Sequence, residues 1–347
     1  MKTRAVRLYG KNDLRLEEFE LPQLKDDEIL VQVISDSICM SSYKATSQGA
    51  NHKRVPNNVA QNPVIIGHEF SGNIVKVGSL WKDEFKEGEK FAIQPALNYK
   101  GSMASPGYSY PYFGGDATFI IIPHEVMELG CLLHYNGKSY YDASLSEPMS
   151  CIIGGLHANY HTTPGKYEHS MGIVKGGKMA LLAATGPMGL GAIEYIINCD
   201  RRPSLLVVTD INEKRIQRAE QIFSVKEAKE KGVELIFVNT REVKDVPLCL
   251  KKLSGEEGYD DVYTFAPVKE VVEQADKILG RDGCLNFFAG PTDTAFSANF
   301  NFYNVHYAST HIVGTSGGNT NDMIECLQMT EENKINPSVM ITHIGGL

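Results

Sequence analysis

Four side chains of this sequence could together hold a metal ion. Cys39 supplies a thiolate, His68 an imidazole, and Glu69 and Glu147 supply carboxylates. Each is ambiguous alone, because isolated Cys and His residues are more often packed in a core, and a Glu before Pro is favoured by the helix dipole. As a set they can form a tetrahedral zinc site with room for a water or a substrate oxygen. We therefore predict one catalytic metal site.

A glycine-rich turn lies further along the chain, at Gly186, Pro187, Met188 and Gly189. Its small residues let a strand turn sharply into a helix, whose N-terminal amides can then face a pyrophosphate. Ala184 stands where a first glycine is usual, and a chance glycine-rich turn is the alternative explanation. Asp210 closes the next apolar run, near the spacing of about 20 residues expected for a ribose-binding acid. The combined pattern predicts dinucleotide binding.

Asp210 also indicates which dinucleotide is bound. Its carboxylate can accept hydrogen bonds from both ribose hydroxyls and would repel a 2′-phosphate, which favours NAD(H) over NADP(H). Arg215, one turn into the following helix, could reach a 2′-phosphate, or it could be a solvated residue of the helix surface. NADP(H) therefore stays open as the alternative.

The positions of apolar residues predict two domains. Residues 1 to about 125 show short alternating runs between Gly and Pro turns, which indicates an antiparallel, barrel-like region. From Lys178 onward, apolar strands alternate with helical stretches, which predicts a doubly wound parallel sheet. The six predicted strands are Met179–Ala183, Leu205–Thr209, Leu235–Val238, Val262–Phe265, Leu285–Ala289 and His311–Gly314.

The connections set the predicted domain boundaries. Residues Glu147–Tyr160 are expected to form a linking helix, and the Gly- and Pro-rich stretch His161–Lys178 a loop insertion. The segment after the sixth strand would return to the first domain. We predict a catalytic domain of residues 1–152 and 317–347, and a nucleotide-binding α/β domain of residues 153–316.

Composition excludes several classes of partner. The 347 residues include 34 Lys plus Arg against 42 Asp plus Glu, and the net charge of −8 argues against a general affinity for nucleic acid. No apolar run is long enough to cross a membrane. Seven cysteines without a CxxC pair indicate a reducing compartment, so we expect a cytoplasmic protein. The segment His311–Gly314 would be an edge strand able to pair with its copy, which predicts a homo-oligomer, either a dimer or a tetramer.

Several motifs together resemble the zinc-containing medium-chain dehydrogenases. They are Cys39-Met40-Ser41, Gly67-His68-Glu69-Phe70-Ser71-Gly72, Val77-Gly78 with Gly88, Glu147-Pro148, and Gly186-Pro187-Met188-Gly189-Leu190 through Asp210. The likeness covers nearly the whole chain. It is greatest to the sorbitol dehydrogenase branch, where a Glu-Pro step replaces a zinc cysteine. The His161–Lys178 insertion and the Ile341–Leu347 ending most resemble L-sorbose 1-phosphate reductases.

The resemblance implies a GroES-like catalytic domain beside a Rossmann domain, and it implies roles for residues. Cys39, His68 and Glu69 would be zinc ligands, Glu147 a ligand or the holder of the zinc-bound water, and Ser41 the group that passes the proton. Glu69 and Glu147 would thus also serve catalysis.

The chain departs from the family pattern in three places. The usual Cys-Gly-Ser-Asp reads Cys39-Met40-Ser41-Ser42, which leaves the role of the acid open. No cysteine lies between Cys39 and Cys131, so we expect one catalytic zinc and no structural zinc. Relatives continue past a step like Thr342-His343, so we expect a truncated chain whose activity could be impaired.

A basic loop is the candidate binding site for a substrate phosphate. It contains Lys44, His52, Lys53 and Arg54, whose side chains suit a phosphate monoester, although a charged loop is more often only solvated. With the resemblance, we expect reduction of L-sorbose 1-phosphate to glucitol 6-phosphate. The alternatives are an unphosphorylated polyol or L-threonine dehydrogenase, and a cofactor-binding protein with impaired catalysis.

Overall fold

The computed structural model describes all 347 residues, and the chain forms two compact units. The first unit contains Met1–Ser150, Asn319–Asn333 and His343–Leu347, and the second contains Cys151–Gly318 and Lys334–Thr342. The predicted catalytic domain of residues 1–152 and 317–347 therefore differs from the first unit at residues 151–152, 317–318 and Lys334–Thr342. The last of these segments stays with the second unit because the Asn336 backbone N–H donates to Glu194 Oε1 at 2.8 Å.

Sixteen strands form the sheets of the two units. They are β1 Lys2–Gly10, β2 Asp13–Glu20, β3 Ile29–Asp36, β4 Val64–Ile65, β5 Phe70–Val77, β6 Lys90–Ile93, β7 Phe119–Ile122, β8 Leu132–His134, β9 Tyr160–Thr162, β10 His169–Met171, β11 Lys178–Leu182, β12 Leu205–Asp210, β13 Glu234–Asn239, β14 Tyr259–Thr264, β15 Leu279–Phe287 and β16 His311–Val313.

Eleven α-helices accompany the strands, together with five short 3-10 turns. The α-helices are α1 Met40–Gln48, α2 His124–Glu128, α3 Tyr140–Ser144, α4 Ser146–Ala158, α5 Pro187–Ile196, α6 Glu213–Ile222, α7 Val225–Glu230, α8 Val246–Leu253, α9 Lys269–Ile278, α10 Phe302–Tyr307 and α11 Thr320–Glu331. None of them is both long and apolar enough to span a bilayer.

The first unit is antiparallel, as the alternating runs predict. Its sheets have the strand orders β2-β1-β4 and β7-β3-β5-β6-β8, and every pair in them is antiparallel. Buried side chains of the larger sheet, among them Ile29, Phe70, Phe91 and Ile120, form one core. This core fixes the ends of β3 and β5, from which the candidate metal ligands come.

The second unit contains the predicted doubly wound sheet. Six parallel strands lie in the order β13-β12-β11-β14-β15-β16, with β16 at one edge. All six residues of β12 are buried, as expected for a strand covered on both faces. The predicted pairing of the β16 edge with a second copy stays a prediction.

The insertion between α4 and β11 contains a small hairpin instead of the predicted loop. Strands β9 and β10 pair antiparallel, and the rings of Tyr160 and His169 lie 4.4 Å apart. The hairpin is fixed to its own unit because Thr162 donates hydrogen bonds from N and Oγ1 to Asp282, at 2.8 and 2.5 Å.

Candidate active site

Three of the predicted metal ligands bring their donor atoms together in the first unit. The Cys39 thiol, the His68 imidazole and the Glu69 carboxylate each offer one donor atom within 4.8 Å of the other two. Cys39 follows β3 and caps α1, while His68 and Glu69 directly precede β5. Because Asp36 pairs with Phe70, the chain leaving β3 lies beside the chain entering β5.

Glu147 lies next to this group but outside it. It is the second residue of α4, and its carboxyl group hydrogen-bonds to that of Glu69. The structure thus brings Glu147 next to the predicted ligand Glu69, while the three-donor group contains only Cys39, His68 and Glu69. Its role as a fourth ligand or as the holder of a water stays a prediction.

Burial controls the electrostatics of the group. Burial and then the Glu69 and Glu147 carboxylates raise the pKa of Cys39 to about 12. Burial, and next the charge of Arg54, lowers the pKa of His68 to about 4, so the imidazole is neutral at pH 7. Burial also raises the pKa of Glu69. The site therefore concentrates groups that resist ionisation without a nearby cation.

These properties fit a zinc ion. His68 is neutral, and its Nδ1 is buried without a hydrogen-bond partner. A thiolate, an imidazole and a carboxylate are the ligands that zinc takes in proteins. A bound dication would also balance the negative charge that burial otherwise disfavours on Cys39 and Glu69.

The Asp36 carboxyl group lies behind residues 67–69, which include two of the predicted metal ligands, and the sequence pattern does not reveal it. Asp36 Oδ1 accepts a hydrogen bond of 3.1 Å from the Glu69 backbone N–H. A Cβ atom on Gly67 would lie 2.2 Å from Asp36 Oδ2, and one on Gly115 would lie 2.4 Å from Oδ1. Burial and the neighbouring Asp116 raise the pKa of Asp36. The glycines therefore make room for this carboxyl group.

Tyr108 is a second residue that sequence analysis missed. Its hydroxyl lies 3.5 Å from His68 Nε2 and hydrogen-bonds to Ser41. The preceding Gly107 brings it there, because the Gly107 backbone has φ +75° and a Cβ atom on it would lie 2.4 Å from the Gly67 carbonyl oxygen. A glycine directly before a tyrosine in an irregular segment was the available signal, and it is a weak one.

Ser41, the predicted proton carrier, lies in the first turn of α1. Its Oγ is 3.0 Å from Cys39 Sγ. Burial raises the pKa of Tyr108 above its ordinary value, so that phenol stays protonated beside Ser41. Ser41 therefore joins the metal group to a neutral hydroxyl.

The predicted basic loop residues share one neighbourhood but differ in exposure. Burial, and then the charges of Arg54, Lys53 and Lys44, lower the pKa of His52. Lys53 is exposed, whereas the other three are partly buried. The His52 ring stacks on Tyr108 at 5.5 Å, and the Arg54 guanidinium lies 5.4 Å above the same ring. Arg54 is thus the loop cation whose charge acts on His68.

The nucleotide turn of the second unit has the geometry that its glycines indicate. Gly186 caps α5 without a side-chain hydrogen bond, and Pro187 and Met188 open the helix. A Cβ atom on Gly189 would lie 1.9 Å from the Ala184 carbonyl oxygen. The α5 N-terminus with its free amides therefore fits a pyrophosphate.

The two predicted selectors of the dinucleotide lie in different environments. Asp210 ends β12, is 7% exposed, and accepts hydrogen bonds from Thr185 and from the backbone after β12. Arg215 is exposed in the first turn of α6, where its backbone N–H donates to Asn212 Oδ1.

Comparison with known proteins finds a matching family model for each of the two units. A model of the alcohol dehydrogenase GroES-like domain matches residues 25–130, and a model of zinc-binding dehydrogenases matches residues 187–332. The chain is 56% identical over 346 residues to mannitol-1-phosphate 5-dehydrogenase of Aliivibrio fischeri, covering 100% of this chain and 82% of that protein. It is 47% identical over 346 residues to L-sorbose 1-phosphate reductase of Klebsiella pneumoniae, covering 99% and 83%. The structure of 2R,3R-butanediol dehydrogenase from Bacillus subtilis shares the fold, with a TM-score of 0.77 at 20% identity and coverage of 98% and 91%.

Proposed function

Because this chain belongs to the zinc-binding medium-chain dehydrogenases, we propose that it transfers a hydride between a nicotinamide cofactor and a polyol or ketose phosphate. L-Sorbose 1-phosphate, reduced to glucitol 6-phosphate, is the substrate expected from the sequence. The identity to a mannitol-1-phosphate dehydrogenase makes mannitol 1-phosphate the second substrate to test.

The environment of Arg54 supports a phosphate ester as the substrate. Arg54 makes no ion pair in the structure, and its Nε is buried without a hydrogen-bond partner. Its only side-chain hydrogen bond is a 3.5 Å contact from Nη1 to Ser105 Oγ. A guanidinium fixed beside the metal group without a carboxylate matches the charge and the fork geometry of a phosphate monoester.

The chain's own residues have distinct tasks in this proposal. Cys39, His68 and Glu69 hold one zinc, with Glu147 beside Glu69 as a ligand or as the holder of a water. The zinc supplies a Lewis acid that stabilises negative charge on the substrate oxygen. Ser41 moves the proton between that oxygen and solvent.

Tyr108 keeps Ser41 in place through its hydrogen bond, and its ring supports both His52 and Arg54. Arg54 would hold the phosphate while Ser41 serves the reacting oxygen. NAD(H) is the proposed dinucleotide, because the Asp210 carboxylate disfavours a 2′-phosphate.

Steady-state kinetics with Arg54→Gln and Lys53→Gln test the proposal. Lys53 is the matched control because it is the adjacent cation and is exposed. Losing a charge-assisted hydrogen bond of about 1.5–3 kcal/mol should raise the KM for a sugar phosphate by roughly 10- to 100-fold in the Arg54 variant. The Lys53 variant should change it less than about twofold.

The reference substrates are L-sorbose 1-phosphate, mannitol 1-phosphate and free L-sorbose. A clear preference for either phosphate ester, lost with Arg54, supports the proposal. Equal use of free L-sorbose, with no effect of the Arg54 change, would assign the protein to the polyol dehydrogenases instead.

A further inference from the structure

The carboxylate of Asp210 is fully occupied by donors from its own unit. Thr185 donates to Oδ2 from Oγ1 at 2.6 Å and from its backbone N–H at 3.2 Å. The backbone N–H groups of Ile211 and Asn212 donate to Oδ1 at 2.8 and 3.0 Å. Asp210 is 7% exposed and Thr185 3% exposed, so little water competes for these bonds.

This number of donors matches the capacity of the group. A carboxylate offers about four lone-pair sites on its two oxygens. Three of the four donors are backbone N–H groups, which the β12 end and the nucleotide turn fix in place. The Thr185 hydroxyl is the one donor that depends on a side chain, and its bond is the shortest of the four.

From this geometry, and resting on the proposed function, we infer that Thr185 is a specificity-determining residue for the dinucleotide. Its hydroxyl occupies the carboxylate position that a donating ribose hydroxyl of NAD(H) would use. When NAD(H) binds, a hydrogen bond from its ribose hydroxyl to Asp210 forms while the bond from the Thr185 hydroxyl breaks. Because the two bonds are similar, the net gain in binding free energy is small.

The hydrogen bond from Thr185 Oγ1 to Asp210 also reduces the discrimination against NADP(H). Four donors directed at Asp210 offset part of the negative charge that a 2′-phosphate would meet. The exposed Arg215 side chain, one turn into α6, remains available to that phosphate. Thr185 therefore lowers the preference for NAD(H) over NADP(H) in two ways. It weakens the binding of NAD(H), and it reduces the repulsion of the 2′-phosphate of NADP(H).

Fluorescence titration of the whole protein with NADH and with NADPH, without substrate, tests this inference. Thr185→Ala and Thr185→Val both remove the hydroxyl, and the valine keeps the side-chain volume should the alanine variant fold poorly. Thr185→Ser is the matched control, because it keeps the hydroxyl. Thermal unfolding of each variant verifies that it is folded.

We expect the Kd for NADH to fall about fivefold or more in the Ala and Val variants, while the Kd for NADPH stays the same or rises. The Ser variant should resemble the wild type. The inference is overturned if removing the hydroxyl leaves NADH binding unchanged or weaker, or tightens both dinucleotides equally. Intact titrations with no turnover of any sugar phosphate would contradict the proposed function alone.

Discussion

Gly189→Ala and Gly186→Ala should separate the two roles of glycine in the nucleotide turn. A methyl group on Gly189 would lie 1.9 Å from the Ala184 carbonyl oxygen and 2.3 Å from its carbonyl carbon. Both neighbours are backbone atoms, so relief requires α5 to move away from the end of β11 by more than about 1 Å. A methyl group on Gly186 would meet nothing within 4 Å.

The expected free energies follow from these contacts. Overpacking at Gly189 should lower the free energy of unfolding by about 1–3 kcal/mol, or more, because backbone rather than a side chain must yield. Gly186 has φ −79°, which alanine adopts readily. Replacing a glycine N-cap by alanine costs at most about 1 kcal/mol, and the stiffer unfolded chain offsets about 0.4–1 kcal/mol of that.

The assay is thermal and urea unfolding without cofactor, followed by titration with NADH. We expect Gly189→Ala to lower the Tm by several degrees and to weaken NADH binding. Gly186→Ala should unfold like the wild type and still bind NADH poorly, because its methyl group stands where the pyrophosphate approaches the backbone. Equal unfolding midpoints for the two variants would refute the steric reasoning.

Two further predictions concern the metal group and the β9–β10 hairpin. Purified protein should contain about one zinc ion per chain by elemental analysis, and the Cys39→Ser variant should retain less than about a tenth of that zinc after dialysis. About two zinc ions per chain in the wild-type protein would contradict a single site. Burial lowers the pKa of His161, but Asp261 and Asp282 outweigh it, so the pKa is raised above 6.5. The stabilisation by protonated His161 is therefore fully present below pH 6.5 and lost as the pH rises through the raised pKa. His161→Gln should unfold with a flatter pH dependence above pH 6.5, and identical profiles would argue against this.

Much of the fold could be predicted from sequence because its signals are local. Each parallel strand contains a short apolar run, and five of the six predicted strands match the structure to within a few residues, while β15 begins earlier, at Leu279. The hairpin at Tyr160–Met171 was not predicted, because its three-residue strands lack an alternating pattern. Its pairing depends on a distant residue, Asp282.

The candidate site could be predicted only where residue chemistry marks it. Cys39, His68 and Glu69 carry recognisable ligand types, and antiparallel pairing of β3 with β5 explains why they meet. Tyr108 and Thr185 carry no such mark. Their positions follow from a close backbone approach and from a hydrogen bond between consecutive strands, neither of which has a sequence period.

No carboxyl group hydrogen-bonds to Nδ1 of the His68 ring, although Asp36 lies behind residues 67–69. The family pattern has an acid directly after Ser41, whereas this chain has the buried Ser42, and His68 Nδ1 has no hydrogen-bond partner. The Asp36 carboxyl group does lie behind the predicted ligands, but it comes from the end of β3 and accepts a hydrogen bond from the Glu69 backbone N–H rather than from the His68 ring. Residues 67–69 are therefore held through their main chain, and the His68 imidazole is oriented by packing against Tyr108.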